Sequence, residues 1–585
     1  MKRAKELCVS YRFGGILGRV YDRHEKGWVF RALKENPLIL GVIEKACRHK
    51  EYCTAHDDGF VAWFGEFIGK FLEGAVSFYQ IQKSAALKEL IDGLSERLFA
   101  IQAEDGYLGM YPEEERYCQS KDNWDAWNQY HCICGLVRWH IATGNERALA
   151  AAVRAAECMY RYFENKGEVD FASSKTMNLA ISHAFMLLYS VTGEKKYRIF
   201  AQDMVETCWR KIGGNWLNEA LEGKEFYQSS QPRWEALHAI ETLGLLYECT
   251  GNEKYFRGLE QIWTSIFDHD VHNTGGFSTD EQACGTPYKN GIIETCCTVA
   301  WQALTCEYLR IHPNVRAADA LEKTYFNAML GAFLLDDATV CYNAPMNGLK
   351  GGNYDGRRID GRIDLAFQFH EGAKDFNCCQ ANATRGLAEI GNWGVQLCEG
   401  ELYVNLYSAY CAETALSDGE RFSFSMRTQY PSDGNIRFSV EHAPKDEFAV
   451  HFRIPHWVKK AHVMLNGEKI SAKAGTYLRI KRAWRSNDTV ELVFDWEISF
   501  EEGKESLAGR TCVYWGCLLL AYPCPEEDDP MFYLKTLKRI ERDDCFVAFS
   551  CDTNAGEKLL TDFFSAGRAQ PMREPPSYRT WLQTR

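Results

Sequence analysis

The chain has 585 residues, 46% of them hydrophobic and 25% charged, with a formal net charge of -13. This is globular composition, long enough for two to four domains. The acidic balance and the lack of a clustered Lys/Arg run exclude a nucleic-acid surface. Apolar runs such as CLLLAYP are far too short to span a bilayer. The opening MKRAKELCVSYRFGG has no apolar stretch of the signal-peptide kind, so a cytoplasmic location is expected.

In chain order, the first two thirds read as helical. KSAALKELIDGLSERLFAIQAEDG carries apolar residues at helical spacing and its charges on the other face. A short phrase then recurs: ATGNERA from Ala142, VTGEKKY from Val191 and CTGNEKY from Cys249. Each follows an apolar helical run and precedes another, and its glycine suits a left-handed helix C-cap. Helical hairpins repeating every ~50–60 residues imply an open solenoid or a closed ring. The Gly- and aromatic-rich loops EDGYLGMYPEEE, GGNWLNEA and NTGGFSTDEQACG favour a closed α/α toroid with a ligand at its mouth. Near residue 398 the texture changes to period-two alternation (ELYVNLYSAY, FSFSMRTQY, AVHFRIPHW, TVELVFDWEISF), the signature of half-buried antiparallel sheet. Asn466-Gly467 marks a hairpin. The expected organisation is a multidomain α + β chain: a helical ring over 1–395, a β-sandwich over 396–503, and a second sandwich or sandwich extension over 504–585.

Two cysteine clusters stand out from a background of 23 cysteines, most of them expected to be free and buried. FNCCQANATRG (376–386) holds the adjacent pair Cys378 and Cys379, which are poor disulfide partners for each other. GIIETCCTVAW (291–301) holds Glu294, Cys296 and Cys297. One carboxylate and three or four thiols from distant segments are the donor types zinc takes, while chance doublets in a cysteine-rich chain remain the alternative. His131-Cys132-Ile133-Cys134 lies in a helical run where i and i+2 diverge, so those cysteines read as core. No phosphate-binding glycine loop and no G-x-S-x-G elbow occurs.

The ordered set GGFSTDEQ, IETC, FNCCQAN, ELYVNLY, FRIPHW, LNG, AGR and WGCLL resembles glycoside hydrolase family 127, the β-L-arabinofuranosidase-like enzymes, from about residue 55 to about residue 525. The resemblance implies an (α/α)6 barrel followed by β-sandwich domains. It also implies one Zn2+ held by a glutamate and three cysteines, one of them the nucleophile. Carried over by residue, Glu294, Cys296, Cys378 and Cys379 match the zinc ligands, Cys378 the nucleophile and Glu281 the general acid/base. His131, His238 and Tyr342 match substrate-binding positions, with hydrogen-bonded core roles as their alternative. Trp124 and Trp127 offer a sugar-stacking platform or core.

The chain departs from the family where the loop after Glu281 is shorter and a Gly-Glu pair is replaced by Asp280-Glu281, which leaves Asp280 as a rival acid. Cys297 is extra and reads as a buried neighbour. The implied activity is a retaining glycosidase cleaving a β-linked L-arabinofuranoside or related furanose-like sugar from small oligosaccharides. The sequence leaves monomer and homodimer both open. Its alternatives are a non-catalytic carbohydrate-binding scaffold with structural zinc, and another α/α-toroid enzyme such as an unsaturated-uronide hydrolase.

Overall fold

A computed structural model of the chain describes residues 9–49, 61–117, 123–165, 176–212, 214–334, 336–351, 358–359, 362–363, 376–416, 419–567 and 577–584. Residues 1–8 of the opening stretch and Gly213 of the GGNWLNEA loop lie outside them.

Six helices form a closed inner ring: Glu66–Gln82, Asp125–Thr143, Ile181–Thr192, Ala236–Thr250, Thr295–Ile311 and Cys378–Ala388. Each packs on the next, and the sixth closes on the first. Their apolar residues run all round rather than along one stripe, as a helix enclosed on every side requires. Amphipathic helices such as Ala85–Ile101, Glu146–Asn165 and Glu253–His269 pack outside them. The recurrent TG phrase does what its glycine requires. Gly144, Gly193 and Gly251 end inner helices with φ of +74, +73 and +65°, and each amide donates back to the carbonyl four residues earlier. The result is the closed ring favoured by the hairpin repeat and its loops, and the (α/α)6 architecture that the family resemblance implies.

Beyond Trp393 the chain is strand-rich. A seven-stranded sheet runs Ser10–Phe13, Tyr410–Ala415, Arg421–Thr428, Asn435–His442, Thr489–Asp495, Lys460–Leu465, Glu468–Ile470. A four-stranded sheet (Thr476–Arg482, Phe448–Ile454, Glu401–Val404, Val395–Cys398) faces it across aromatic contacts, with Phe438 and Phe452 rings 5.1 Å apart and Phe422 and Phe448 rings 5.0 Å apart. Among the described residues, all pairs within these two sheets are antiparallel except Phe448–Ile454 on Glu401–Val404. Asn466 and Gly467 take φ of +52 and +87° in the predicted hairpin, between paired Leu465 and Glu468. A further sheet follows from Ile498.

Two strands cross the expected linear order. Ser10–Phe13 joins the seven-stranded sheet, and Asn347–Leu349 joins the C-terminal one. Buried Arg453 ties the sandwich to the helix Val315–Lys323 by pairing with Asp319 and Glu322, and Tyr430 donates to the same Glu322 at 2.6 Å. Among the described residues no helix is long and apolar enough to cross a membrane.

Candidate active site

Both cysteine clusters lie at the starts of inner-ring helices. Glu294 is the N-cap of Thr295–Ile311, and Cys296 sits in its first turn. Cys378 and Cys379 open Cys378–Ala388, whose cap Asn377 accepts the Gln380 amide at 2.8 Å. Two helix N-termini thus point their partial positive charge at three sulfurs, which favours thiolates. One donor atom from each of Glu294, Cys296, Cys378 and Cys379 lies within 4.8 Å of the others, and all four residues are buried. Glu294 Oε1 is 3.4 Å from the sulfurs of Cys378 and of Cys379, which are 3.8 Å apart. Cys297 Sγ is 3.5 Å from the other carboxylate oxygen, Oε2.

The electrostatics of this cluster test whether a metal fits. Burial pushes the Glu294 carboxyl and the Cys378 and Cys379 thiols well above their ordinary pKa values. Burial also raises Cys296, but hydrogen bonds from Cys378 and Cys379 and the charge of Lys70 outweigh it and leave that thiol well below its usual range. Lys70, fully buried, lies 4.0 Å from Cys296 Sγ and 2.7 Å from Glu66 Oε1, over the rings of Trp127 and Trp234. Burial opposes its charge, yet Cys296 and Glu66 raise its pKa above the ordinary lysine value. The protein's own groups therefore support one thiolate, beside Lys70. Four acidic donors converging in a buried site fit a divalent cation with a preference for sulfur, which would ionise the rest.

Glu281 hangs beside this cluster on a two-residue turn. Thr279 and Gln282 pair across it, and Asp280 and Glu281 take φ of +52 and +66°, the left-handed region that a glycine would enter freely. Successive residues of the turn point apart. Asp280 accepts the Ile292 amide at 3.2 Å and pairs with Lys289 at 3.3 Å on the exposed side. Glu281 receives the Tyr342 hydroxyl on one oxygen and Arg233 Nη2, at 2.7 Å, on the other. Arg233 is itself braced by Glu235 at 2.8 Å. Tyr342 lies on a segment that pairs with the Glu294 backbone, its carbonyl accepting the Thr295 amide at 2.9 Å. Tyr342 thereby links the Glu281 turn to the sulfur cluster.

His131 and His238 are fully buried on the second and fourth helices of the inner ring, 6.1 Å apart between imidazole ring centres. Each engages a carboxylate through Nδ1, Glu73 at 2.7 Å and Glu241 at 2.8 Å. Each Nε2 has no hydrogen-bond partner among the described residues. Burial holds both rings well below the ordinary histidine pKa, hence neutral, and a carboxylate on Nδ1 fixes the tautomer with Nε2 as acceptor. Trp127 is fully buried and its indole N–H donates to Glu66, while Trp124 packs on Trp63 at 5.0 Å. Trp127 is therefore core, and Trp124 is half-buried.

Several residues of this site escaped the sequence reading. Glu66, Lys70 and Glu73 come one turn apart within an otherwise apolar helix, a pattern that marks a polar stripe in an enclosed element. His183 bonds the Tyr130 hydroxyl at 2.9 Å and lies 3.8 Å from Glu241. Its signal was available: a histidine stands in each of the three apolar runs that precede a TG turn. Arg233 carries no local pattern at all.

The comparisons agree with this architecture. The family model described as the beta-L-arabinofuranosidase GH127 catalytic domain matches residues 31–392, and that of the GH127 middle domain matches residues 401–496. The "Non-reducing end beta-L-arabinofuranosidase" of Bifidobacterium longum subsp. longum is 24% identical over 540 residues, covering 83% of this chain and 79% of that protein. The solved GH127 beta-L-arabinofuranosidase from Geobacillus stearothermophilus T6 matches with a TM-score of 0.78 at 18% identity, covering 99% of this chain and 100% of that one. Another solved GH127 beta-arabinofuranosidase matches with a TM-score of 0.80 at 20% identity, covering 100% and 99%. At such identities the structural matches establish the fold. The domain matches establish the rest: the chain belongs to the GH127 beta-L-arabinofuranosidase family and is a glycoside hydrolase acting on arabinofuranosides.

Proposed function

We propose that the chain is a retaining glycosidase that releases β-linked L-arabinofuranose from oligosaccharides, with Cys378 as nucleophile, Glu281 as acid/base and zinc held by Glu294, Cys296, Cys378 and Cys379. The observation that carries the reading is the convergence of those four donor atoms within 4.8 Å, with Glu281 tied to the same place through Tyr342. Zinc takes such donors in a four-coordinate shell and, when bound, would keep the sulfurs deprotonated at neutral pH.

A retaining glycosidase needs a nucleophile and an acid/base on opposite sides of the anomeric carbon, and a thiolate here stands where a second carboxylate usually does. The Cys378 thiolate attacks the anomeric carbon. The bond to the leaving oxygen breaks as Glu281 gives that oxygen its proton. Glu281, now a carboxylate, takes a proton from water, and the resulting hydroxide oxygen displaces sulfur. Sugar leaves with its configuration retained, and both residues return to their starting states. Arg233 and Tyr342 hold the Glu281 carboxylate in place between the two steps. The Nε2 atoms of His131 and His238 are acceptors suited to sugar hydroxyls, which would relieve two otherwise orphaned buried groups.

Between the adjacent sulfurs the choice is geometric, because both would be thiolates. Cys378 keeps 5% exposure while Cys379 has none, so Cys378 is the one that a sugar can approach to about 3–3.5 Å. A haloacetamide-type furanoside analogue followed by peptide mapping tests this. Label on Cys378 alone is expected. Label on Cys379 reverses the roles, and label on Glu281 or Glu294 makes a carboxylate the nucleophile.

A further inference from the structure

Cys297 is the thiol of the cluster that the proposed chemistry does not use. It stands next to Cys296, yet its sulfur is not among the four converging donor atoms. It is fully buried. Three residues beyond the helix cap Glu294, it comes round on the same face of the helix one turn later. Its Sγ then meets Glu294 Oε2 at 3.5 Å, an ordinary donor distance for the larger sulfur atom. The Glu294 carboxylate is thereby divided. Oε1 faces the sulfurs of Cys378 and Cys379, and Oε2 faces Cys297. The Glu294 side chain accepts no capping bond from a backbone amide of this helix, although its position would allow one.

We infer that Cys297 is a positioning residue whose S–H, donated to Oε2, reserves Oε1 for the metal and holds Glu294 as a one-oxygen ligand. The inference rests on the metal centre proposed above and adds a residue to it. A thiol is a weak donor, but with the metal bound it would meet an anionic acceptor, and both residues are buried. Partners that orient a metal ligand in this way typically matter to metal affinity by 10–100-fold.

The test uses the full chain, stripped of metal under reducing, anaerobic conditions and titrated with Co2+ against a competing chelator. Cys297→Ala should bind Co2+ about 10–100-fold more weakly than the parent protein. Cys297→Ser, whose hydroxyl can still donate to Oε2, should stay close to the parent affinity. The sulfur-to-cobalt charge-transfer band, per bound ion, should be the same in all three proteins, because none of them loses a ligating thiolate.

Parent-like affinity in Cys297→Ala overturns the inference. So does a serine variant as weak as the alanine one, since that means packing and not donation. A weaker charge-transfer band in the serine variant means that Cys297 is itself a ligand. Melting of the metal-free forms is the folding control: if Cys297→Ala melts far below the parent, the serine affinity and band decide. Failure of the parent protein to bind Co2+ overturns the metal centre, and this inference with it. A parent protein that binds, with an alanine variant that binds equally, refutes Cys297 alone.

Discussion

The sulfur cluster and the Glu281 turn are neighbours joined by Tyr342, but they are supported in opposite ways. Cys296, Cys378 and Cys379 sit in first turns of inner-ring helices, inside the protein, where helix N-termini and Lys70 favour negative charge. Glu281 sits on a left-handed two-residue turn with its side chain 15% exposed, and its direction depends on two side-chain clamps, Arg233 and Tyr342. The contrast matches what each side would have to do. A group that must stay charged without water gains from helices, whose geometry and dipole are fixed. A group that must exchange protons with a leaving group and then with water gains from a loop at the mouth, placed by a rigid scaffold.

Breaking each side in turn sharpens the contrast. The largest effect is expected at the buried side: Cys378→Ala should lower turnover by on the order of 10⁴-fold or more, since the proposed covalent intermediate cannot form without that sulfur. Aryl and alkyl arabinofuranosides should suffer alike, which initial-rate assays on both will show. Residual turnover above a hundredth of the parent rate would remove Cys378 from the nucleophile's role.

At the exposed side, Glu281→Gln should cost on the order of 10²–10⁴-fold with poor leaving groups and much less in the first step with activated aryl ones. Its metal content should be unchanged, because Glu281 is not among the converging donors. Asp280→Asn is the control one residue away. Its carboxylate faces Lys289 and the Ile292 amide, so only a minor loss is expected. A crippled Asp280→Asn beside an active Glu281→Gln would move the acid/base by one residue.

The smallest effect concerns stability. Metal analysis of the purified chain should give about one zinc per chain, and Cys379→Ala should lose most of it. Stripping the metal should lower the melting temperature by several degrees, because an ion bound only by the folded state shifts the folding equilibrium. Glu281→Gln should show the same shift on stripping as the parent. Equal melting of stripped and loaded protein would make the cluster a set of ordinary buried thiols.

Much of the fold was legible because its signals are local. A left-handed glycine after an apolar run ends a helix wherever it occurs, so the TG phrases at Gly144, Gly193 and Gly251 announced the hairpins. Asn466-Gly467 did the same for a β-hairpin. The two thiol clusters were visible as doublets with a carboxylate, and the ordered motifs tied them to one family. The division into 1–395, 396–503 and 504–585 remains our proposal for the domains. A linear reading cannot see that Ser10–Phe13 adds an edge strand to a sheet formed some 400 residues later.

Only ring closure brought Glu294 and Cys296 of the fifth inner helix against Cys378 and Cys379 of the sixth, and Lys70 of the first beside them. Which way Asp280 and Glu281 face was likewise decided by the turn. Both are acids and adjacent in sequence, and only backbone φ above +50° with the distant partners Lys289, Arg233 and Tyr342 separates them. The same holds for the two oxygens of Glu294, one given to the sulfurs and the other to Cys297. Residue types and short spacings determined that an acid, thiols and imidazoles were present. The directions of their side chains came from contacts between segments far apart in sequence, which no local pattern encodes.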